Sequence, residues 1–363
     1  MSARATRDSS ADQAPFVAVI MAGGQGQRFW PLSTSQRPKQ FLDLERRGRT
    51  LIQATYDRLL PLTGSPEGLY VATGSRYVAL VREQLPDLPG GNLLIEPTGR
   101  DSAPAVALAS LAIHARTGGA VLGFFSADHR IGAVAPFHDA VRDAIALAEA
   151  ERGLVTLGIT PTHAATGYGY VERGEPCGTG FRVARFIEKP TAERAQRYLD
   201  AGTFAWNAGI FVWRSDVILE ELDRHAPEIM RPLRLSISEG SVAQVFPTLP
   251  KISIDYALME RTEHAFVVSV DCDWDDIGDW VALERLLALG DGDGDGTPNT
   301  VVGKHVGYEA SGNIIYTEQA EDVIVTVGVS DLVVVKRGNT VLLVAKDRIA
   351  DVKRVLEDER LDG

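Results

Sequence analysis

The sequence predicts an α/β protein with a Rossmann-like mixed, mostly parallel sheet, followed by a small β-rich module. Three observations carry this prediction. Between residues 16 and 289, short apolar runs alternate with amphipathic stretches at helical spacing. Beyond 298 the pattern becomes five-residue runs of valine and isoleucine broken by glycine. Between the two lies Gly-Asp-rich 290–298, which has no apolar residue. Alternating strands and helices imply right-handed βαβ units, and a chain of 363 residues has room for one large α/β domain and an appendage.

Taken in order, residues 1–15 are polar and lack the apolar core of a secretory signal, so they are predicted to be a disordered extension. Phe16 to Ile20 is uniformly apolar, as a parallel strand covered on both faces should be. Thr50 and Gln53 have the spacing of a capping box, and Leu51, Ile52, Tyr56, Leu59 and Leu60 follow at helical spacing. Strands are expected at 69–73, 93–95, 121–125 and 154–159, and helices at 76–85, 103–116 and 136–150. The second half predicts strands at 167–172, 181–188, 205–213 and 264–270. Helices are expected at 191–201, 215–224, 253–262 and from 279 to about 289. The Gly-Asp stretch 290–298 reads as a linker; a calcium loop would need a glutamate at its twelfth position and flanking helices. Strands at 299–302, 313–316, 323–327, 332–336 and 340–344 fill the module 299–363, which closes in a charged helix over 347–360.

Composition narrows the function. A net charge of −12 argues against a nucleic-acid-binding surface. No run of 18 apolar residues exists, so no membrane-spanning helix is expected. The two cysteines, Cys177 and Cys272, have no metal-ligand spacing and read as small buried hydrophobes, reduced, in a cytoplasmic protein. Against the acidic background, the basic cluster Arg28, Arg37, Lys39, Arg46, Arg47 and Arg49 stands out.

That cluster surrounds a glycine loop. Gly23, Gly24 and Gly26 follow the first strand, with Arg28 next and Lys39 eleven residues later. Glycine admits close approach of a bulky ligand, and successive backbone N–H groups make an anion-binding concavity. A plain glycine turn with solvated basic residues is the competing account. A dinucleotide fingerprint would need glycine where Phe29 stands, and no Walker-type Gly-Lys-Ser/Thr is present. In α/β sheets ligands bind beyond the carboxyl ends of the strands, which here selects loops 21–28, 96–104 and 126–129.

Four further features have dull explanations one at a time: Asp128 after a strand, Glu188-Lys189 before a proline, Asn207 in a Trp-Asn-Ala-Gly turn, and Asp276 in Trp-Asp-Asp-Ile-Gly. Together with Gly23-Gly24, Gly26, Arg28, Pro38-Lys39 and Gly167-Tyr168-Gly169, they resemble the sugar-nucleotide pyrophosphorylase family. Arg28 to Ser33, Pro38 to Phe41, Glu96-Pro97 with Arg100, Ala103 to Ala105, and Ser253 to Tyr256 narrow the resemblance to its mannose-1-phosphate guanylyltransferase branch. It covers 16–289 closely and 299–355 more loosely.

The resemblance implies a nucleotidyltransferase (GT-A-like) domain with a β-helix-like C-terminal domain. It implies the reaction of GTP with mannose 1-phosphate to give GDP-mannose and pyrophosphate. Ala22, Gly23, Gly24, Gly26, Arg28 and Lys39 would hold the triphosphate. Glu96, Gly99, Arg100 and Pro104 would face guanine and ribose. Gly167, Glu188, Asn207 and Asp255 would bind mannose hydroxyls, and Lys189 the sugar phosphate. Asp128 and Asp276 suit Mg²⁺, which prefers one or two protein carboxylates completed by phosphate and water. Arg28, Lys39, Asp128, Lys189 and Asp276 are therefore the expected catalytic set.

Asp101-Ser102, Ser126 and Asp279 depart from the usual family spelling and leave base and metal contacts open. A pyrophosphorylase for another sugar or base, or a non-catalytic homologue, remains an alternative. The expected partners are small molecules, with no nucleic acid or membrane, and a homodimer is possible. No appended isomerase domain is expected.

Overall fold

The computed structural model describes residues 14–24, 29–288 and 299–356. The expected extension, the linker 290–298, Gly26, Arg28 and the end of the closing helix lie wholly or mainly outside these residues.

A nine-stranded sheet has the order β3-β2-β1-β4-β9-β6-β10-β8-β7. Strands β1 (Phe16–Met21), β2 (Leu69–Gly74), β3 (Leu93–Glu96) and β4 (Val121–Ser126) run parallel. The long β9 (Phe204–Arg214) pairs antiparallel with both β4 and β6 (Leu154–Ile159). Beyond it β6 and β10 (Ala265–Val270) are parallel, and β8 (Gly180–Ile187) and β7 (Tyr170–Cys177) close the edge antiparallel. The parallel character thus belongs to the first half, and the second half supplies the mixture.

The apolar β1 divides its side chains as a doubly covered strand must. Ala18 and Ile20 join a core with Ile52, Tyr56 and Leu59 of α1 (Leu51–Thr63) and Phe137 and Val141 of α4 (Val134–Glu151). Val17 and Val19 join the opposite core with α3 (Ser102–Thr117), α6 (Ser215–His225) and α7 (Pro227–Glu239). At the start of α1, the Thr50 N–H donates to Gln53 Oε1 at 3.1 Å. The capping box is complete, with the Thr50 side chain also facing the Gln53 N–H, and the Thr50 hydroxyl in addition donates to Gln84 Oε1 of α2 (Val78–Gln84) at 2.6 Å.

The structure holds elements in stretches for which none was expected, and it changes another. Helix α7, with Pro232 inside it although proline removes an intrahelical bond, occupies such a stretch. The helix expected over 253–262 is a short π-helical turn, Asp255–Met259, whose Ala257, Leu258 and Met259 are buried. A strand, β13 (Lys304–Tyr308), lies between two that were expected; it has no buried residue to announce it.

The C-terminal module is a coil of parallel strands. Strand β12 (Thr300–Val302) stacks on β14 (Ile314–Thr317) and that on β16 (Leu332–Arg337), while β13 stacks on β15 (Val323–Val327). Asn313, fully buried, ties the coil: its Nδ2 donates to Asn299 Oδ1 at 3.0 Å and its Oδ1 accepts from the Leu332 N–H at 2.9 Å. An antiparallel β17 (Thr340–Ala345), a 3₁₀ segment and the short α10 (Val352–Leu356) end the described chain. The coil shares one core with the α/β domain, in which Ile314, Tyr316, Val333 and Val335 meet Phe29, Leu44, Ile277 and Trp280. Arg337 Nη1 donates to the carbonyls of Pro31 and Leu32 at 2.7 and 2.8 Å.

Both cysteines are free; Cys272 is buried, whereas Cys177 is only half-buried at the β7–β8 turn. Among the described residues, no helix is long and apolar enough to cross a membrane.

Candidate active site

The site forms beyond the carboxyl ends of β1, β3 and β4. Polar side chains hold the glycine loop from below. Ala22 O accepts from Thr73 Oγ1 at 3.0 Å and from Gln40 Nε2 at 3.2 Å, and Gly24 O accepts from the same Nε2 at 2.9 Å. Two adjoining cavities of about 280 and 370 Å³ open beside this loop and share Gly23, Glu96, Gly99 and Asp101. Gly24, Ser126 and Asp128 line the first. Of the expected nucleotide residues that are described, Ala22, Arg100 and Pro104 are on neither wall; Ala22 is buried, and Pro104 is buried in the first turn of α3. Asp101 takes the place expected for Arg100. With φ at +68° it caps α3, accepting from the Ser102 N–H at 2.8 Å. Burial pushes the Glu96 carboxyl up to about 7.

At the centre, Lys39 Nζ lies 2.9 Å from Asp128 Oδ2 and donates at 2.9 Å to each of the backbone carbonyls of Asp276 and Ile277. An ammonium has three donors, so all three are engaged within the protein. Burial alone would raise the Asp128 pKa; Lys39, His129 and a hydrogen bond from the Ser126 hydroxyl overcome it and hold the carboxyl down at about 2. Ile277 has φ at +42° and is fully buried. A β-branched residue in that region is strained, and Lys39 is one of the contacts that fix it. Asp276 Oδ1 accepts from the Tyr168 hydroxyl at 3.0 Å. Burial, reinforced by Asp276, raises the Tyr168 pKa. Trp274 Nε1 donates to His129 Nδ1 at 3.2 Å; burial lowers the His129 pKa, against the pull of Asp128 and Asp276.

A second cluster lies across the cleft. Asn207 Nδ2 donates to Asp255 Oδ1 at 3.0 Å, while its Oδ1 accepts from Thr156 Oγ1 at 2.8 Å. Asp255 starts the π-helical turn, and burial and then Glu188 push its carboxyl up to about 6. Glu188 Oε1 pairs with Lys189 Nζ at 2.9 Å; Lys189 has φ at +46°. Gly169 leaves room for that carboxylate, since a Cβ there would fall 2.5 Å from Glu188 Oε2. Gly167 is exposed, and a Cβ there would meet no atom within 4 Å. A cavity of about 220 Å³ lined by Ser126, His129, Gly209 and Asp255 joins the two halves.

Lys39, Asp128 and Asp276 therefore converge, as do Glu188, Lys189, Asn207 and Asp255. Gln40, Tyr168 and His129 were not among the expected site residues, although each sits beside one in a motif already singled out. Thr73 left no signal at all. Among the described residues, no group of three or more His, Cys, Asp or Glu side chains could hold a metal ion unaided. Two hard carboxylates, completed by ligand phosphates and water, nonetheless fit a divalent ion of the Mg²⁺ kind.

The sequence model of the nucleotidyl transferase family matches residues 17–289, and that of a mannose-phosphate isomerase/GMP-like β-helix domain matches 303–358. A mannose-1-phosphate guanylyltransferase of Escherichia coli strain K12 is 37% identical over 97% of this chain and 75% of its own length. Another from Salmonella montevideo is 37% identical over 95% of this chain and 74% of its own. A crystal structure from Thermus thermophilus, described as a mannose-1-phosphate geranyltransferase, superposes with a TM-score of 0.85 at 36% identity, covering 96% of this chain and all of its own. The chain belongs to the nucleotidyl transferase family, in its mannose-1-phosphate guanylyltransferase branch.

Proposed function

We propose that this protein transfers GMP from GTP to α-D-mannose 1-phosphate, releasing pyrophosphate. The observation that carries the reading is that one ammonium, Lys39, holds both the Asp128 carboxylate and the backbone of Asp276, between the cavities beside the glycine loop and the cluster of Glu188, Asn207 and Asp255. The sugar phosphate is already an oxyanion and needs no general base. Placement and charge neutralisation then supply most of the rate. Gly23 and Gly24 are assigned to the triphosphate, and the family resemblance assigns Gly26 and Arg28, outside the described residues, to the same group. Glu96 faces guanine, whose N1–H and amino group suit a carboxylate acceptor. Glu188, Asn207 and Asp255 take mannose hydroxyls, and Lys189 holds the sugar phosphate. Lys39 neutralises Asp128 and fixes the turn that presents Asp276; to touch a phosphate it must release one of its three acceptors.

Nucleotidyl transferases of this family generally work with a divalent metal, and we assign Mg²⁺ to Asp128 and Asp276. When bound it supplies Lewis-acid polarisation of the α-phosphate and charge for the leaving pyrophosphate. Free thiols at Cys177 and Cys272 support a cytoplasmic, reducing setting. Outward valines on β15, with Val323, Val325 and Val327 between 52% and 64% exposed, support self-association into a homodimer. A concentration-independent monomer in sedimentation would remove that part.

The test is a matrix of nucleoside triphosphates against sugar 1-phosphates with Mg²⁺, read as pyrophosphate release. GTP with mannose 1-phosphate is expected among the best pairs; its absence from them overturns the reading.

A further inference from the structure

The basic cluster at 46–49 contributes no arginine to the walls of the two nucleotide-side cavities. Arg46 goes to the C-terminal coil, where it donates to Thr317 O and lies 4.9 Å over the Tyr316 ring. Arg47 and Arg49 go elsewhere. With Arg58 of α1 and Arg130 of the short β5 (Arg130–Ile131), they line a separate cavity of about 370 Å³. This cavity has no wall residue in common with the two nucleotide-side cavities and shares only His129 with the cavity of about 220 Å³ between the two halves.

Four arginines line this cavity with two carboxylates, Glu45 and Asp57, and a third carboxylate, Asp273, pairs with Arg130 from outside the wall, in a protein whose net charge is −12. Arg49 donates to both oxygens of Asp57, at 2.7 and 2.5 Å, Arg130 Nη1 donates to Asp273 Oδ2 at 2.7 Å, and Arg47 and Arg130 share Glu45 at 3.3 and 3.7 Å. Arg58 has no carboxylate partner among the described residues. Its Nη2 donates to Thr55 Oγ1 at 2.9 Å and weakly to His129 O at 3.4 Å, and its guanidinium lies 5.7 Å from the Phe137 ring centroid. Burial pulls its pKa down to about 10, so it is still charged at neutral pH. A half-buried guanidinium with no carboxylate partner gains from an anion that completes it, and its planar fork matches phosphate oxygens bidentately. The remaining wall is apolar, from Leu51, Ala54, Ile131 and Val134.

We propose that this cavity is a second anion site, distinct from the catalytic cleft, for a small phosphorylated organic molecule. Its phosphate sits between Arg58 and Arg49, and its organic part lies against Leu51 and Val134. The site stands whether or not the reaction proposed above is correct.

Titration calorimetry of the full chain with inorganic pyrophosphate tests it. The Arg49→Ala/Arg58→Gln variant should bind one equivalent fewer than the wild type, or bind that equivalent at least tenfold more weakly. Counting the difference between the two proteins separates this site from any pyrophosphate bound in the cleft. Glu45→Gln, which removes a competing carboxylate, should tighten the same equivalent severalfold. This second variant covers the case in which the first does not fold. Unchanged stoichiometry and affinity in Arg49→Ala/Arg58→Gln, or no tightening in Glu45→Gln, overturns the proposal.

Discussion

Asp276 shows how much one carboxylate depends on its surroundings. Its backbone is gripped by Lys39, one of its oxygens takes the Tyr168 hydroxyl, and Gly278 leaves its other oxygen room, with a Cβ there only 3.2 Å from Oδ2. Asp276→Asn keeps the shape and removes the charge. It should lower kcat more than tenfold at saturating substrates; an unchanged rate would remove Asp276 from the metal site. Asp255 makes a prediction about pH. Its folded pKa of about 6 is above the value of a free aspartate, so the fold favours its protonated form. The contribution of Asp255 to stability is complete below about pH 4 and is lost as the pH rises through 6. Asp255→Asn, free of that loss, should melt above the wild type at pH 7 to 8 and level with it at pH 4, read by calorimetry. A constant difference across that range would refute it. The acidic residues were legible because each sits in a short motif. The engagement of Lys39 was not: its partner carbonyls lie 237 and 238 positions away, and a contact between distant segments leaves no trace in spacing.

At the scale of elements, the sheet positions the chemistry. β1 and β4 place the glycine loop and Asp128 side by side, since Met21 and Ser126 are in register. β7 and β9 bring Gly169 against Asn207, whose N–H donates to Gly169 O at 2.8 Å. Gly169→Ala should therefore push Glu188 out of place and raise the KM for the sugar phosphate about tenfold, with GTP binding kept. Steady-state kinetics with each substrate varied would check it, and an equal effect on both would count against the assignment of Glu188 to the sugar half. The strands and helices of the first half were readable because each buries a face with its own period. The π-helical turn at 255–259 was not, because its apolar residues sit at spacings that also suit an α-helix. The second-half mixture of strand directions was hidden too, since direction depends on connections rather than on composition.

For the molecule as a whole, the change in strand spacing after 298 announced a separate module, and the fold contains one. What the sequence could not disclose is that the module has no core of its own that stops at its boundary. Trp280 is fully buried between Phe29 and Tyr316, its ring 5.4 Å from each. Trp280→Ala should cost about 3–5 kcal/mol, and because the cavity opens under the 276–277 turn, activity should fall along with stability. Retained turnover in a protein destabilised by that amount would show that the two are independent. The shared core also bears on how such enzymes can be recombined. The coil is a buttress of the catalytic turn rather than a detachable ornament. A chimera that exchanges coils between two relatives would have to carry residues 29–51 and 277–283 along with the coil, or it would join a reactive loop to a foundation it does not fit.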